Sequence, residues 1–453
     1  MLRTVLAFAL VACSPAPGPP NGSVADTAPR VRPGLEVLLR DSFHLVRGKR
    51  VGLIVNHTAV DHRGTHAIDL LARQPEVRLV ALFGPEHGLR GTAEAGEKIA
   101  SGRDERTGLP VYSLYGETQR PTPAMLRDVD VLVFDMQDIG ARPYTYVWTM
   151  AMALEAAAAQ GIPFVVLDRP NPITARMEGP LMQLAMRTVA QPITGYYPVP
   201  LRHGMTVGEI ARYINETYRI GAELHVVPAA GWRGSMWFDE TGLPWLRPSP
   251  NIRSLEAALL YSGLVLAEAT NLSVGRGTDA PFQILGAPWL DPTRLQAALR
   301  RYDLRGVAID TVRVVPAGSG WVPYRGEAIR ALRLRVTDRE ALRPVWLALV
   351  LLSEVRRLHP TEFRVMNEGF TQMLGSRWAR RMFDAGALPE TIWNRWEAEL
   401  RAWRPVRERY RLPHRYILHV GTNKPHKNLE TLLEAYRTDV RPLLAAVREE
   451  MGL

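Results

Sequence analysis

Five carboxylates carry the clearest chemical potential in this chain: Glu86, Asp135, Asp138, Asp168 and Glu268. Each stands at, or within a few residues of, the end of a short apolar run. Cleaving an acetal link takes one carboxyl that donates a proton to the leaving oxygen. It also takes a second group, another carboxylate or the substrate's own acetamide, to meet the positive charge that develops. His57, His87 and His203 lie beside the same kind of run and with Asp135 raise the alternative of a metal site. Their spacing matches no H-x-x-x-H or H-x-H ligand pair, so hydrogen bonding or substrate orientation is the expectation and no metal is assigned. Arg142, Arg169, Arg202 and Arg276 each adjoin a turn rich in Gly or Pro. A guanidinium there suits a substrate carboxylate, or balances surface charge. Tyr144, Tyr146 and Trp148 offer faces for a sugar ring or side chains for the core, and a mixture of the two is expected.

The elements that would gather these residues are legible as apolar runs: 51–55 into Asn56-His57-Thr58, 79–83 into Gly84-Pro85-Glu86-His87-Gly88, and 131–134 into Asp135-Met136-Gln137-Asp138. Residues 164–167 run into Asp168-Arg169-Pro170-Asn171, 264–267 into Glu268-Ala269-Thr270-Asn271, and, more weakly, 111–114 into Tyr115-Gly116-Glu117. Apolar runs without alternation are expected as strands buried on both faces, as in parallel sheets. Such strands share one carboxyl edge, and ligands bind in the crevice outside it. Helices fit 65–73, 123–127 and 146–160, the last stopping at Gly161. Thr206 and Glu209 read as a capping box opening a helix to 218. A strand fits 224–227 and a helix 255–261. Beyond residue 288, helices at 295–300 and 343–358 and strands at 307–315 and 331–336 predict a smaller unit. The fold class is therefore α/β, a Rossmann-like parallel sheet domain with a second, smaller α+β domain. The division expected is 35–285 for the first, 286–410 for the second, and 411–453 for an atypical tail.

Composition narrows the class. The 453 residues are 46% apolar and 23% charged, ordinary for a soluble globular protein. The formal charge of +10 comes from 56 Lys+Arg against 46 Asp+Glu. No long basic block interleaved with aromatics accompanies it, so no nucleic-acid partner is expected. No G-x-G-x-x-G follows the first strand and no Walker-type lysine loop occurs, so no dinucleotide or other cofactor is expected. The absence of a G-x-S-x-G elbow removes the usual platform for serine acyl transfer. The sole cysteine, Cys13, ends a short apolar stretch after Met1-Leu2-Arg3. Residues 1–13 resemble a bacterial lipoprotein signal peptide, with a plain secretory signal as the alternative. Residues 14–34, rich in Pro, Gly and Ser, read as a tether. The expectation is an exported body, lipid-anchored at Cys13 on the periplasmic or cell-surface side of a membrane.

Val51-Gly52-Leu53-Ile54-Val55-Asn56-His57-Thr58, Phe83-Gly84-Pro85-Glu86-His87-Gly88-Leu89-Arg90-Gly91 and Asp135-Met136-Gln137-Asp138-Ile139-Gly140-Ala141-Arg142 resemble hallmarks of a known family. So do Asp168-Arg169-Pro170-Asn171-Pro172, Arg202-His203-Gly204-Met205-Thr206, Ser249-Pro250-Asn251 and Thr270-Asn271-Leu272-Ser273-Val274-Gly275-Arg276-Gly277-Thr278. The family is the exo-β-N-acetylmuramidases of bacterial cell-wall recycling, long catalogued as a domain of unknown function. The resemblance covers roughly residues 35 to 410. It implies release of N-acetylmuramic acid from the non-reducing end of peptidoglycan fragments, with Glu86 as the catalytic acid. Asp135, Asp138 or Glu268 would then be the second carboxylate. Arg142, Arg202 or Arg276, with Arg202 favoured, would meet the lactyl carboxylate. Asn56, His57, His87, Tyr144, Asp168, His203 and Asn271 complete the expected binding set. Ala269 and Arg253 stand where the family usually has Gly and Pro, and Ala269 would be strained if its φ were positive. A non-catalytic peptidoglycan-binding lipoprotein, or a metal-dependent amidohydrolase or deacetylase on the same substrate, are the rival readings. Residues 416–429 resemble a fragment of a GT-B glycosyltransferase, too short for a nucleotide-sugar site.

Overall fold

The computed structural model describes residues 31–89, 97, 101–187 and 194–412. Cys13, the signal-like segment and the glycosyltransferase-like stretch lie outside them. The strands are β1 (Arg50–Val55), β2 (Arg78–Gly84), β3 (Gly102–Arg103), β4 (Pro110–Ser113), β5 (Val131–Asp135), β6 (Phe164–Leu167), β7 (Glu178–Leu181), β8 (Pro200–Arg202), β9 (Leu224–Val227), β10 (Ile284–Ala287), β11 (Val307–Val314) and β12 (Ile329–Val336). The helices are α1 (Gly34–Asp41), α2 (Ala67–Ala72), α3 (Pro123–Leu126), α4 (Tyr146–Ala159), α5 (Val207–Thr217), α6 (Leu255–Leu264), α7 (Pro292–Leu299), α8 (Pro344–Leu358), α9 (Asn367–Leu374), α10 (Arg377–Asp384) and α11 (Pro389–Arg409).

The central sheet has seven strands in the order β3-β4-β2-β1-β5-β6-β9. All neighbours run parallel except the short edge pair β3 and β4. Its apolar runs divide between two cores as a strand's two-residue period requires. Val51, Leu53, Val55, Val131, Val133, Val165 and Leu167 enter the core under α1 and α2. Ile54, Leu132, Phe134, Phe164 and Val166 enter the core shared with α4 and α5. Each such side chain contributes on the order of 1.5–3 kcal/mol on burial, which is why the runs show no polar alternation. The capping box of α5 forms as the sequence predicts, with Thr206 and Glu209 satisfying each other's backbone amides.

Three expectations change. The tether ends earlier than residue 34. Val31 is buried, the Arg32 amide donates to Ala230 O at 2.9 Å, and Gly34 begins α1. A Cβ on Gly34 would lie 2.4 Å from the Asp168 amide nitrogen, so only glycine fits there. The run 264–267 is not a strand. Ser254 caps α6 by accepting from the Ala257 amide, and the helix passes into a 3-10 turn over Val265–Ala269. A short apolar run buried all round has no period that separates helix from strand, and Gly263 lets α6 press against the Pro344 carbonyl that opens α8. Finally, β10 pairs with β12 in the antiparallel sheet β10-β12-β11, so a boundary at 285 divides a strand of the second sheet.

Candidate active site

The carboxyl ends of β1, β2, β4, β5 and β6 share one edge, and their polar residues meet there. The Gln137 amide donates to Thr58 Oγ1 at 2.9 Å, joining the β5 and β1 loops. Glu86 follows β2 in a tight turn closed by the Gly88 amide on Pro85 O, with His87 at φ 67° and Gly88 at φ 72°. A buried histidine in the left-handed region is a strained residue, and such strain persists where surrounding structure imposes it. Glu86 itself is half-buried. Its Oε2 accepts the Thr145 hydroxyl at 2.8 Å, and the Tyr115 hydroxyl also bonds its carboxylate. Burial raises the Tyr115 pKa, as do the Glu86 charge and that hydrogen bond, so Tyr115 stays a donor.

From Glu86 a file of aromatic rings crosses to the second domain. Tyr146 and Tyr144 pack at 4.8 Å, Tyr144 and Tyr261 at 6.0 Å, and Tyr261 and Phe282 at 4.8 Å. Arg276 lies over Phe282, with its guanidinium 5.7 Å from the ring of the exposed Trp321. Its Nε donates to Glu268 Oε1. Burial works against the Arg276 charge, but Glu268, Tyr261 and Glu86 outweigh it and the net shift is upward. The Tyr261 hydroxyl, pushed well above its ordinary pKa by burial first, also feels Glu268, Glu86 and Asp138. Glu86, Asp138, Glu268, Arg276, Tyr144 and Tyr261 therefore share one electrostatic neighbourhood. Tyr144 keeps a little exposure, whereas Tyr146 and Trp148 are fully buried and bond the carbonyls of Pro248 and Arg142, so these two belong to the core.

Several expected site residues hold other posts. Asp135 is fully buried and accepts from Arg169 through both oxygens, at 2.5 and 2.9 Å, so it is enclosed and paired within the protein. Arg202 is fully buried, ion-paired to Glu178 at 2.8 Å and bonded to Ile173 O at 2.5 Å. Burial pulls its pKa down and the pairing with Glu178 opposes that. A cation enclosed this way cannot read a substrate carboxylate. Arg142 is likewise sealed, donating to the carbonyls of Pro180, Val199 and Met373. Met373 lies in the last turn of α9, whose negative end favours a cation, so Arg142 ties the β5 loop to the second domain. Asp168 accepts from the Gly208 amide at 2.8 Å and so completes the N-terminus of α5. Asn271 spends its side chain on Glu362 O and the Arg364 amide. Asn56 accepts from the Thr58 amide and hydroxyl, and its own amide faces Tyr146 without reaching hydrogen-bond geometry.

The histidines do not converge. His57 donates through Nε2 to Arg247 O at 2.7 Å, which leaves Nδ1 a buried acceptor with no partner among the described residues. Burial, opposed by the hydrogen bond to Arg247 O and reinforced by His87 and His66, lowers its pKa and keeps the ring neutral. His203 sits 3.2 Å from Asp138, and His87 is buried in the β2 turn. Among the described residues, no group of three His, Cys, Asp or Glu could hold a metal ion. Ala269 is helical and its φ is not positive, so no strain attends the missing glycine. Sequence reasoning did not single out Thr145, Tyr261, Phe282 or Trp321, whose types are ordinary for core or helix. Only Tyr115, at the end of the weakest run, carried a signal.

Carboxylates and one held arginine on an aromatic wall, at the carboxyl edge of a parallel sheet, make an α/β enzyme site suited to an acidic sugar. The comparisons agree. Residues 51–256 match the family model described as exo-β-N-acetylmuramidase NamZ, N-terminal, and residues 259–412 match its C-terminal counterpart. This chain belongs to the exo-β-N-acetylmuramidase NamZ family. It is 40% identical over 420 residues to the peptidoglycan β-N-acetylmuramidase NamZ of Bacillus subtilis (strain 168), covering 90% of this chain and 99% of that one. Two crystal structures of DUF1343 family proteins from Bacteroides fragilis NCTC 9343 are similar. One has TM-score 0.78 and 35% identity, covering 84% of this chain and 99% of its own. The other has TM-score 0.68 and 26% identity, covering 85% and 99%.

Proposed function

We infer that this chain is an exo-β-N-acetylmuramidase, a glycosidase that releases N-acetylmuramic acid from the non-reducing end of peptidoglycan fragments. The observation that carries the residue assignment is Glu86, half-buried at the strand edge and fixed by the hydroxyls of Thr145 and Tyr115. Glu86 gives its proton to the leaving glycosidic oxygen and takes one back from water. Arg276, held by Glu268 between Phe282 and Trp321, reads the lactyl carboxylate. His57 Nδ1 accepts a ring hydroxyl, and Tyr144 and Tyr261 supply the apolar wall. The protein is exported and anchored through Cys13, its active body facing cell-wall fragments.

The reading is tested with 4-nitrophenyl β-N-acetylmuraminide, the matching glucosaminide, and a disaccharide carrying N-acetylmuramic acid at its non-reducing end. Preferential release of nitrophenol from the muraminide and of single sugars from the disaccharide supports it. Binding of the disaccharide without turnover would instead favour a non-catalytic binding protein.

A further inference from the structure

We propose that Asp138 is the second catalytic group, and that it acts by gripping the acetamido N–H of the sugar while that acetamide's carbonyl oxygen attacks the anomeric carbon. The proposal rests on the hydrolase reading above and names the means by which the same site meets the developing charge.

Of the three carboxylates that could serve beside Glu86, two are engaged. Asp135 spends both oxygens on Arg169, and Glu268 is held by Arg276. Asp138 is only 3% exposed, and its two oxygens are treated differently. Oδ2 accepts the Gly140 amide at 2.7 Å and faces His203 Nε2 at 3.2 Å. The Met205 amide donates to His203 Nδ1, so the neutral ring carries its proton on Nε2, toward Asp138. That 3.2 Å approach is a close polar contact rather than an aligned hydrogen bond, since Nε2 meets no hydrogen-bond geometry. Oδ1 is buried and has no hydrogen-bond partner among the described residues. A buried acceptor left bare is costly, and in native proteins it asks for an explanation. Here the explanation is a donor that arrives with the substrate.

The position suits that donor. Burial, then the Glu86 charge, governs the Tyr146 hydroxyl, which Asp138 also reaches, and Tyr261 feels both carboxylates as well. Asp138 and Glu86 follow β5 and β2, the two strands that flank β1 at one carboxyl edge of the sheet. The loop that aims Asp138 is stiff. Gly140 has φ 83°, and a Cβ there would fall 2.5 Å from Asn171 Oδ1.

In the first step the acetamide oxygen forms a bond to C1 as the C1–O bond to the leaving group breaks, and Glu86 transfers its proton to the departing oxygen. The positive charge on the cyclised acetamide is met by Asp138 Oδ1 at the N–H. In the second step water adds to C1 from the vacated face and Glu86 takes its proton. The ring opens, the acetamide is restored, and N-acetylmuramic acid leaves as the β anomer. One water is consumed and one alcohol released, with no oxidant or metal.

The test begins with the full wild-type chain, with the anomer first released from 4-nitrophenyl β-N-acetylmuraminide followed by proton NMR. The β anomer is expected, and initial α anomer overturns the proposal. Aryl muraminides with mono-, di- and trifluorinated acetamides come next. kcat/KM should fall by at least about tenfold across the series, because each fluorine weakens the attacking carbonyl. A flat series points to direct attack by an enzyme carboxylate and also overturns it. Asp138→Asn keeps an acceptor for Gly140 but cannot stabilise the cation. It should lose about 100-fold or more in kcat, the scale of a positioned acid or base, even with an aryl leaving group that needs no protonation. Activity near wild type overturns the assignment of Asp138. If the wild-type chain releases no sugar from any of these substrates, the hydrolase reading itself fails, a result distinct from an α product or a flat series.

Discussion

Thr145 occupies the N-cap of α4, yet its side chain accepts no amide of the helix and instead donates its hydroxyl to Glu86 Oε2 at 2.8 Å. A threonine at an N-cap ordinarily stabilises its helix by about 1 kcal/mol. Here that contribution is forgone to fix a carboxylate across the cleft.

Removing that hydrogen bond should slow catalysis without affecting binding. A hydrogen bond contributes roughly 0.5–1.5 kcal/mol, so Thr145→Val should lower kcat by about threefold to tenfold at nearly constant KM. Thr145→Ser should recover most of it. Steady-state kinetics on the muraminide decide the matter, and unchanged kcat in the valine variant would mean that Thr145 does not position Glu86.

Substrate choice should follow Arg276 and not Arg202. Arg276→Met should weaken kcat/KM on the muraminide by roughly ten- to hundred-fold, the value of a charge-assisted hydrogen bond, with little change on the glucosaminide. Arg202→Met strands Glu178 in the interior, and breaking a buried pair costs about 3–5 kcal/mol. That variant should melt earlier and lose both activities in step. Paired kinetics and thermal melts separate the two. A selective loss on the muraminide in the Arg202 variant would reverse the assignment.

Asp168 gives the fold a pH dependence with a defined sign. Burial, offset in part by hydrogen bonds from Thr206 and Gly208, raises its pKa from 3.8 to about 7. The unfolded chain ionises this group near its ordinary value, while the folded chain keeps it protonated to about neutrality. Folded protein therefore binds the extra proton, and stability falls as pH rises between those two values. The loss is at most on the order of 4 kcal/mol. Asp168→Asn, which keeps acceptor and size, should flatten that slope in chemical denaturation at pH 4.5 and 7.5. An equal slope in both proteins would show that Asp168 does not titrate in this window.

The proposed lipid anchor has its own test. Cys13→Ala should release the protein from membranes, because acyl chains contribute about 0.8 kcal/mol per buried methylene and two or more hold nearly irreversibly. Equal partitioning of wild type and variant in membrane fractions would assign Cys13 to a plain signal.

The sheet was legible because residues such as Val51, Leu53, Val131 and Val133 are apolar without alternation, which parallel strands between two helical layers demand. The same cue failed at 264–267, where a helix buried all round has the same composition. The strand-end clusters were legible as a group, but not the division of labour within them. Asp135 and Asp138 lie three residues apart at the end of β5, and only packing shows that Arg169 consumes the first while Oδ1 of the second has no partner among the described residues. Arginine posed the same difficulty. Gly- and Pro-flanked turns at 142, 202 and 276 look alike in sequence, yet two of the three side chains turn inward to carbonyls and Glu178. Tyr261 and Phe282 join the site through tertiary contacts alone.

The most direct test of the account is Glu86→Gln, which keeps size and hydrogen-bonding capacity but cannot donate a proton. On a natural disaccharide with N-acetylmuramic acid at the non-reducing end, kcat should fall at least about 100-fold, as expected for loss of a general acid. On the nitrophenyl muraminide, whose leaving group needs little protonation, the first step should suffer much less. A variant that hydrolyses the natural disaccharide at close to the wild-type rate would show that Glu86 is not the acid.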